Sequence, residues 1–185
     1  GKKIKWSGKW PRVDYFEVFK KETGIDLDNA EDSKLKTKAK ELGVDTKGLG
    51  RGRLIDAIYK KTVRPKLINP VFLIGHPVET APLAKKDPKN PKRVLKFQIV
   101  AGGTELCNAY SELNDPLDQK ARFEEQARLR EAGDEEAQMM DDDYVEALEY
   151  AMPPAVGFGM SERLFAVLMD KSIRETVIFP PMKEV

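Results

Sequence analysis

The sequence predicts an α+β fold: an antiparallel sheet flanked by helices, interrupted near its start by a small helical insertion. Three observations lead there. Residues 13–63 carry only short-range helical patterns. From Pro65 onward apolar runs of strand length alternate with turn residues. After Ser111 the pattern returns to helical spacing.

Taken in order, the opening Lys2, Lys3, Ile4, Lys5, Trp6, Ser7, Gly8, Lys9 and Trp10 interleave cations with tryptophans. Residues 1–12 read as a lysine-protected edge strand, the alternative being a phosphate-contacting one. Tyr15, Phe16, Phe19 and Ile25 form the first helical stripe, broken by Gly24, and Leu35, Ala39 and Leu42 form a second, closed by Gly43. Leu54, Ile55, Ile58 and Tyr59 mark a third helix after Gly48, Gly50 and Gly52; those glycines lack the spacing of a phosphate loop and read as a plain loop. Val71–Ile74 is a short buried strand, Pro77 and Pro82 impose extended backbone across 79–81, and 87–92 is a polar loop. Along 94–101, Leu95, Phe97 and Ile99 share one face, Lys96 and Gln98 the other. Gly102 and Gly103 supply the turn of a hairpin to the strand 105–111.

That strand is unusual, because it places carboxylates, an amide and a phenol inside a sheet. Strict alternation puts Leu106, Asn108, Tyr110 and Glu112 on one side and Glu105, Cys107, Ala109 and Ser111 on the other. A helix follows, capped by Asn114 or Asp115 with Pro116 in its first position, running to Glu131 and stopping near Gly133. Met140, Tyr144, Ala147, Leu148 and Ala151 make the stripe of a second, ended by Pro153 and Pro154. Gly157, Phe158, Gly159, Met160, Ser161, Glu162 and Arg163 then allow close backbone approach and start a helix near Ser161. An arginine in the first turn of a packed helix calls for an anionic partner, a phosphate above all, or else snorkels or pairs with Glu162.

Composition narrows the chemistry. With 185 residues, 41% of them hydrophobic, the chain can bury a core, and 32 Lys plus Arg against 31 Asp plus Glu leave no global charge excess for nucleic acid. One cysteine excludes an internal disulfide, and one histidine beside it excludes a zinc cluster, so any metal must rest on carboxylates. No run approaches membrane-span length, and the expectation is a cytoplasmic protein that engages no membrane.

Taken together, Glu105-Leu106-Cys107-Asn108-Ala109-Tyr110-Ser111-Glu112-Leu113-Asn114-Asp115-Pro116, Asp118-Gln119, Arg122-Phe123, the stretch from Arg130 to Asp134, the stretch from Ala147 to Pro154 and the glycine–arginine segment resemble class II lysyl-tRNA synthetases, in the family's order and spacing. The resemblance implies that the sheet is of the class II aminoacyl-tRNA synthetase type, and that 1–12 is an edge strand of the catalytic core, 13–63 the insertion and 64–185 the C-terminal part of the core. It implies lysine activation by ATP and transfer to tRNA(Lys) by a homodimer. Glu105, Gly159 and Arg163 would bind ATP, with Arg163 catalytic on the triphosphate; Asn108, Tyr110 and Glu112 would bind L-lysine; Glu105 and Gln98 would meet Mg2+. The sequence departs from the family at Gln98, where a second acidic ligand is usual, and at Ser161, where a third glycine is usual. The anticodon-binding barrel and the first two class II motifs fall outside it, so the chain reads as a piece that does not aminoacylate alone. Two alternatives stand beside this: a related lysine ligase acting on a protein, and a non-catalytic binding module with the same fold.

Overall fold

The computed structural model describes residues 2–180; Gly1 and the last five residues of the 64–185 segment lie outside the described residues. A five-stranded sheet runs in the order β1 (Arg12–Asp14), β2 (Val71–Ile74), β5 (Lys96–Ala101), β6 (Thr104–Ser111) and β7 (Val156–Met160), with β3 (Lys86–Asp87) and β4 (Asn90–Val94) as a separate pair. All contacts in the main sheet are antiparallel except β1 with β2. The predicted class is therefore the observed one.

The helices α1 (Tyr15–Thr23), α2 (Asp32–Glu41) and α3 (Arg51–Thr62) fall where their stripes predict. Asp14 caps α1 through its carboxylate and Gly24 ends it in the left-handed region. Tyr15, Phe19, Leu35, Ala39, Leu54, Ile55 and Ile58 close into one core with Val71, Leu73 and Val100 of the sheet. These three helices thus roof the β2 and β5 half of one sheet face. On the opposite face Ala101, Leu106 and Cys107 pack with Ile4, Trp6, Leu164 and Val167, the last two from α6 (Arg163–Met169). Helix α4 (Pro116–Glu131) is capped by Asp115, whose carboxylate accepts from the Leu117 and Asp118 amides, and it is bound to the 81–84 segment by Arg122 donating to the Ala84 carbonyl at 2.7 Å. Helix α5 (Asp142–Glu149) lies against α4, Phe123 meeting Tyr144 edge-on at 5.8 Å.

Several local expectations are corrected. Residues 2–11 form no strand; the edge is Arg12–Asp14 alone, and the tryptophan rings instead pack at a tilt, Trp10 lying 6.2 Å from Trp6 and 5.8 Å from Phe72. Proline fixes its own φ and restricts the residue before it, here His76 and Ala81, so Val78–Thr80 is free to form a 3-10 turn, closed by the Thr80 amide on the Pro77 carbonyl at 3.1 Å. The 87–92 loop is a hairpin whose Asp87-Pro88-Lys89-Asn90 turn places proline at the second position, with Asp87 accepting from the Lys89 amide at 2.8 Å. Leu95 separates two strands rather than continuing one. Of the expected stripe around α5, Leu148 is buried and Tyr144 packs on Phe123, while Ala147 and Ala151 are exposed and Val145 is buried instead.

Candidate functional site

The hairpin from β5 to β6 decides which side chains share the site. Its turn is as expected: Ala101 faces Thr104, with Gly102 and Gly103 both at positive φ. The pairing then slips. Lys96 faces Tyr110, Gln98 faces Asn108 and Ile99 faces Cys107, yet the next residue, Val100, faces Glu105, leaving Leu106 as the extra residue of a β-bulge. The bulge overturns strict alternation. Leu106 goes to the apolar side, 1% exposed, and Glu105 goes to the polar side. There its Oε2 accepts a hydrogen bond from Gln98 Nε2 at 2.6 Å. One sheet face therefore carries Lys96, Gln98, Glu105, Asn108 and Tyr110, and across from them Gly157 and Gly159, which pair with Tyr110 and Asn108.

Glu112 follows the strand on the same side. A Cβ added to Gly157 would lie 2.0 Å from Glu112 Oε1, so the carboxylate occupies the space that the glycine leaves. The close approach expected of this glycine is made by a carboxylate of the chain itself. Burial raises the Glu112 pKa. Burial, then Glu112, then Tyr144 raise that of the Tyr110 hydroxyl; burial, Glu112 and Asp141 raise that of Tyr144. Tyr144 thus belongs to this end of the site, although its place in a helical stripe marked it only as core. Asn108 Oδ1 is buried with no hydrogen-bond partner among the described residues, an acceptor awaiting a donor. Above Gly159 the space is open: a Cβ there meets nothing nearer than the Asn108 carbonyl oxygen at 3.9 Å.

At the other end, His76, 3% exposed, lies 5.2 Å from the Tyr15 ring. Burial first, then the Lys96 charge, lower its pKa to about 3, so it is neutral at physiological pH; Gln98 and the Lys96 backbone favour protonation, but neither ring nitrogen has a partner in hydrogen-bonding geometry.

Arg163 opens α6 as expected, but it is exposed, and among the described residues its guanidinium has no ion-pair partner. The expectation of a buried arginine demanding an anion is therefore corrected: exposure removes the desolvation cost. It is the one predicted site residue that the structure does not bring into contact with the others. Ser161 is accommodated because its φ is not positive, and its Oγ accepts from the Arg163 amide at 3.3 Å. For a magnesium ion, Glu105 and Gln98 offer oxygen donors of the right kind, but no group of three or more His, Cys, Asp or Glu among the described residues could enclose one.

The family model for tRNA synthetases class II (D, K and N) matches residues 1–183. The chain belongs to that family. Among curated relatives, the lysine–tRNA ligase of Carboxydothermus hydrogenoformans is 46% identical over 94% of this chain and 36% of its own length. That of Moorella thermoacetica is 45% identical over 99% of the chain and 38% of its length, and that of Thermotoga maritima 44% identical over 99% and 37%. The chain spans little more than a third of these synthetases. No described helix is long and apolar enough to cross a membrane.

Proposed function

We propose that the protein containing this chain is a lysine–tRNA ligase: it activates L-lysine with ATP and passes the lysyl group to tRNA(Lys). The observation that carries the reading is the Glu112 carboxylate, held over Gly157 beside Tyr110 and Tyr144 on the sheet face that also carries Glu105. A desolvated carboxylate between phenols suits an alkylammonium, with Tyr110 packing along the aliphatic stem. Asn108 Oδ1 accepts from the same substrate. Glu105, Gly159 and Arg163 bind ATP, Gly159 by leaving room above the strand and Arg163 by swinging its guanidinium onto the triphosphate when nucleotide binds. Glu105 and Gln98 would hold magnesium, which would supply charge neutralisation on the phosphates.

The lysine carboxylate attacks the α-phosphorus and pyrophosphate leaves; the tRNA ribose hydroxyl then attacks the acyl carbon of the adenylate, giving up its proton, and AMP leaves as the acyl–phosphate bond breaks. Positioning and electrostatics account for most of the acceleration. In this reading 1–12 is the edge segment, 13–63 the insertion and 64–185 the C-terminal part of a catalytic core, in a cytoplasmic homodimer. The isolated chain does not aminoacylate. The test is ATP–pyrophosphate exchange by the full-length protein against each amino acid: exchange with lysine is expected, and exchange with another amino acid but not lysine rejects the assignment. Gln98 favours one second reading, a binding module without turnover, which predicts ligand binding with no exchange.

A further inference from the structure

Lys96 has no role in the assignments above, yet its surroundings are those of a ligand-binding cation. Register sets it on the polar sheet face, opposite Tyr110 and on the same side as Gln98. It is half-buried and has no hydrogen bond or direct ion pair from its ammonium among the described residues. The charged groups it feels are Glu105 of β6 and Asp56 of α3, with neutral His76 beside it. Glu112 is not among them, and Lys96 stands two residues from Gln98, the partner of Glu105. Both nearby carboxylates are already engaged: Glu105 by the Gln98 amide at 2.6 Å, Asp56 by Lys60 at 2.6 Å. Arg64, whose Nε is buried and unpartnered, stands at the same end beside Tyr59, which also feels Glu105. A half-buried ammonium with no carboxylate in direct contact is incompletely compensated, and a ligand anion relieves that cost.

We propose that Lys96 is a phosphate-binding residue of this site, a fixed cation in the sheet floor that takes the nucleotide's polyphosphate beside Glu105. The inference rests on the nucleotide half of the proposed function. Because Gln98 is neutral and Asp56 is paired with Lys60, Lys96 and Arg64 stand against Glu105 alone at this end, an excess of one positive charge that favours phosphate even before any metal arrives.

The test is calorimetric binding to the full-length protein, with β,γ-imido-ATP, adenosine and lysine titrated separately, each with and without Mg2+. Lys96→Met is expected to weaken the imido-ATP by tenfold or more in both conditions, leaving adenosine and lysine within twofold; Lys96→Arg is expected to stay within about threefold of wild type throughout. Undiminished imido-ATP binding by Lys96→Met overturns the proposal. So does an equal loss for adenosine and lysine, or unfolding of both Lys96→Met and Lys96→Gln by circular dichroism, since each marks a structural role. Absence of imido-ATP binding by the wild type contradicts the synthetase reading itself.

Discussion

The two ends of one sheet face solve opposite electrostatic problems. At the Glu112 end a carboxylate lies against a glycine and near two phenols, its charge raised in energy by burial. At the Glu105 end the carboxylate is hydrogen-bonded to a neutral amide and acts on Lys96, with Arg64 beside Tyr59. The first end awaits a cation and the second an anion. A molecule joining an amine to an activated phosphate satisfies both, and neither end would require such a ligand alone. The β-bulge at Leu106 makes the pairing possible, because without it Glu105 would point to the apolar face.

Substitutions at each end should separate the two functions in the full-length protein. The largest effect is expected from Glu112→Gln, which removes the charge facing the ammonium: kcat/KM for lysine should fall about 1000-fold, roughly 4 kcal/mol, while ATP affinity stays within about twofold. Next, Gly157→Ala pushes a methyl group into the carboxylate, and the displaced Glu112 should raise the lysine KM about 10- to 100-fold with ATP unaffected. Tyr144→Leu should weaken lysine about three- to tenfold and Tyr144→Phe less, since the aromatic face attracts the ammonium.

Stability should separate the ends as well. Burial holds the His76 pKa at about 3, far below its unfolded value, so the folded state binds fewer protons and stability is lost as pH falls from about 6.5 toward 3. That loss is on the order of several kcal/mol, and His76→Phe should flatten the profile in denaturant titrations over this window. Glu112 has the opposite sign. Its raised pKa destabilises the charged form, so Glu112→Gln should melt slightly above wild type at pH 7.5, the difference closing as pH falls into the ordinary carboxylate range.

Much of this was legible in the sequence. The Gly102–Gly103 hairpin, the Asp115–Pro116 helix start and the helices α1 to α3 follow from turn chemistry, capping and apolar spacing. Side-chain direction in β6 was not, because a bulge leaves no mark in a period-two pattern: Glu105 and Leu106 exchange faces for reasons found in the partner strand. Tyr144 and Lys96 escaped notice for a related cause. A tyrosine in a helical stripe and a lysine on a polar strand face look ordinary until tertiary contacts place one near Glu112 and leave the other half-buried with no carboxylate in direct contact among the described residues. The exposure of Arg163 likewise depends on how little of α6 is covered, which local pattern does not encode.

The most direct measurement of a two-ended site is a crossed binding experiment on the full-length protein, with lysine and β,γ-imido-ATP titrated into Glu112→Gln and Glu105→Gln. A crossed pattern is predicted: Glu112→Gln loses lysine and keeps the nucleotide, whereas Glu105→Gln loses magnesium-dependent nucleotide affinity and keeps lysine. Equal loss of both ligands in both variants would contradict it, because the two carboxylates would then be supporting one undivided structure.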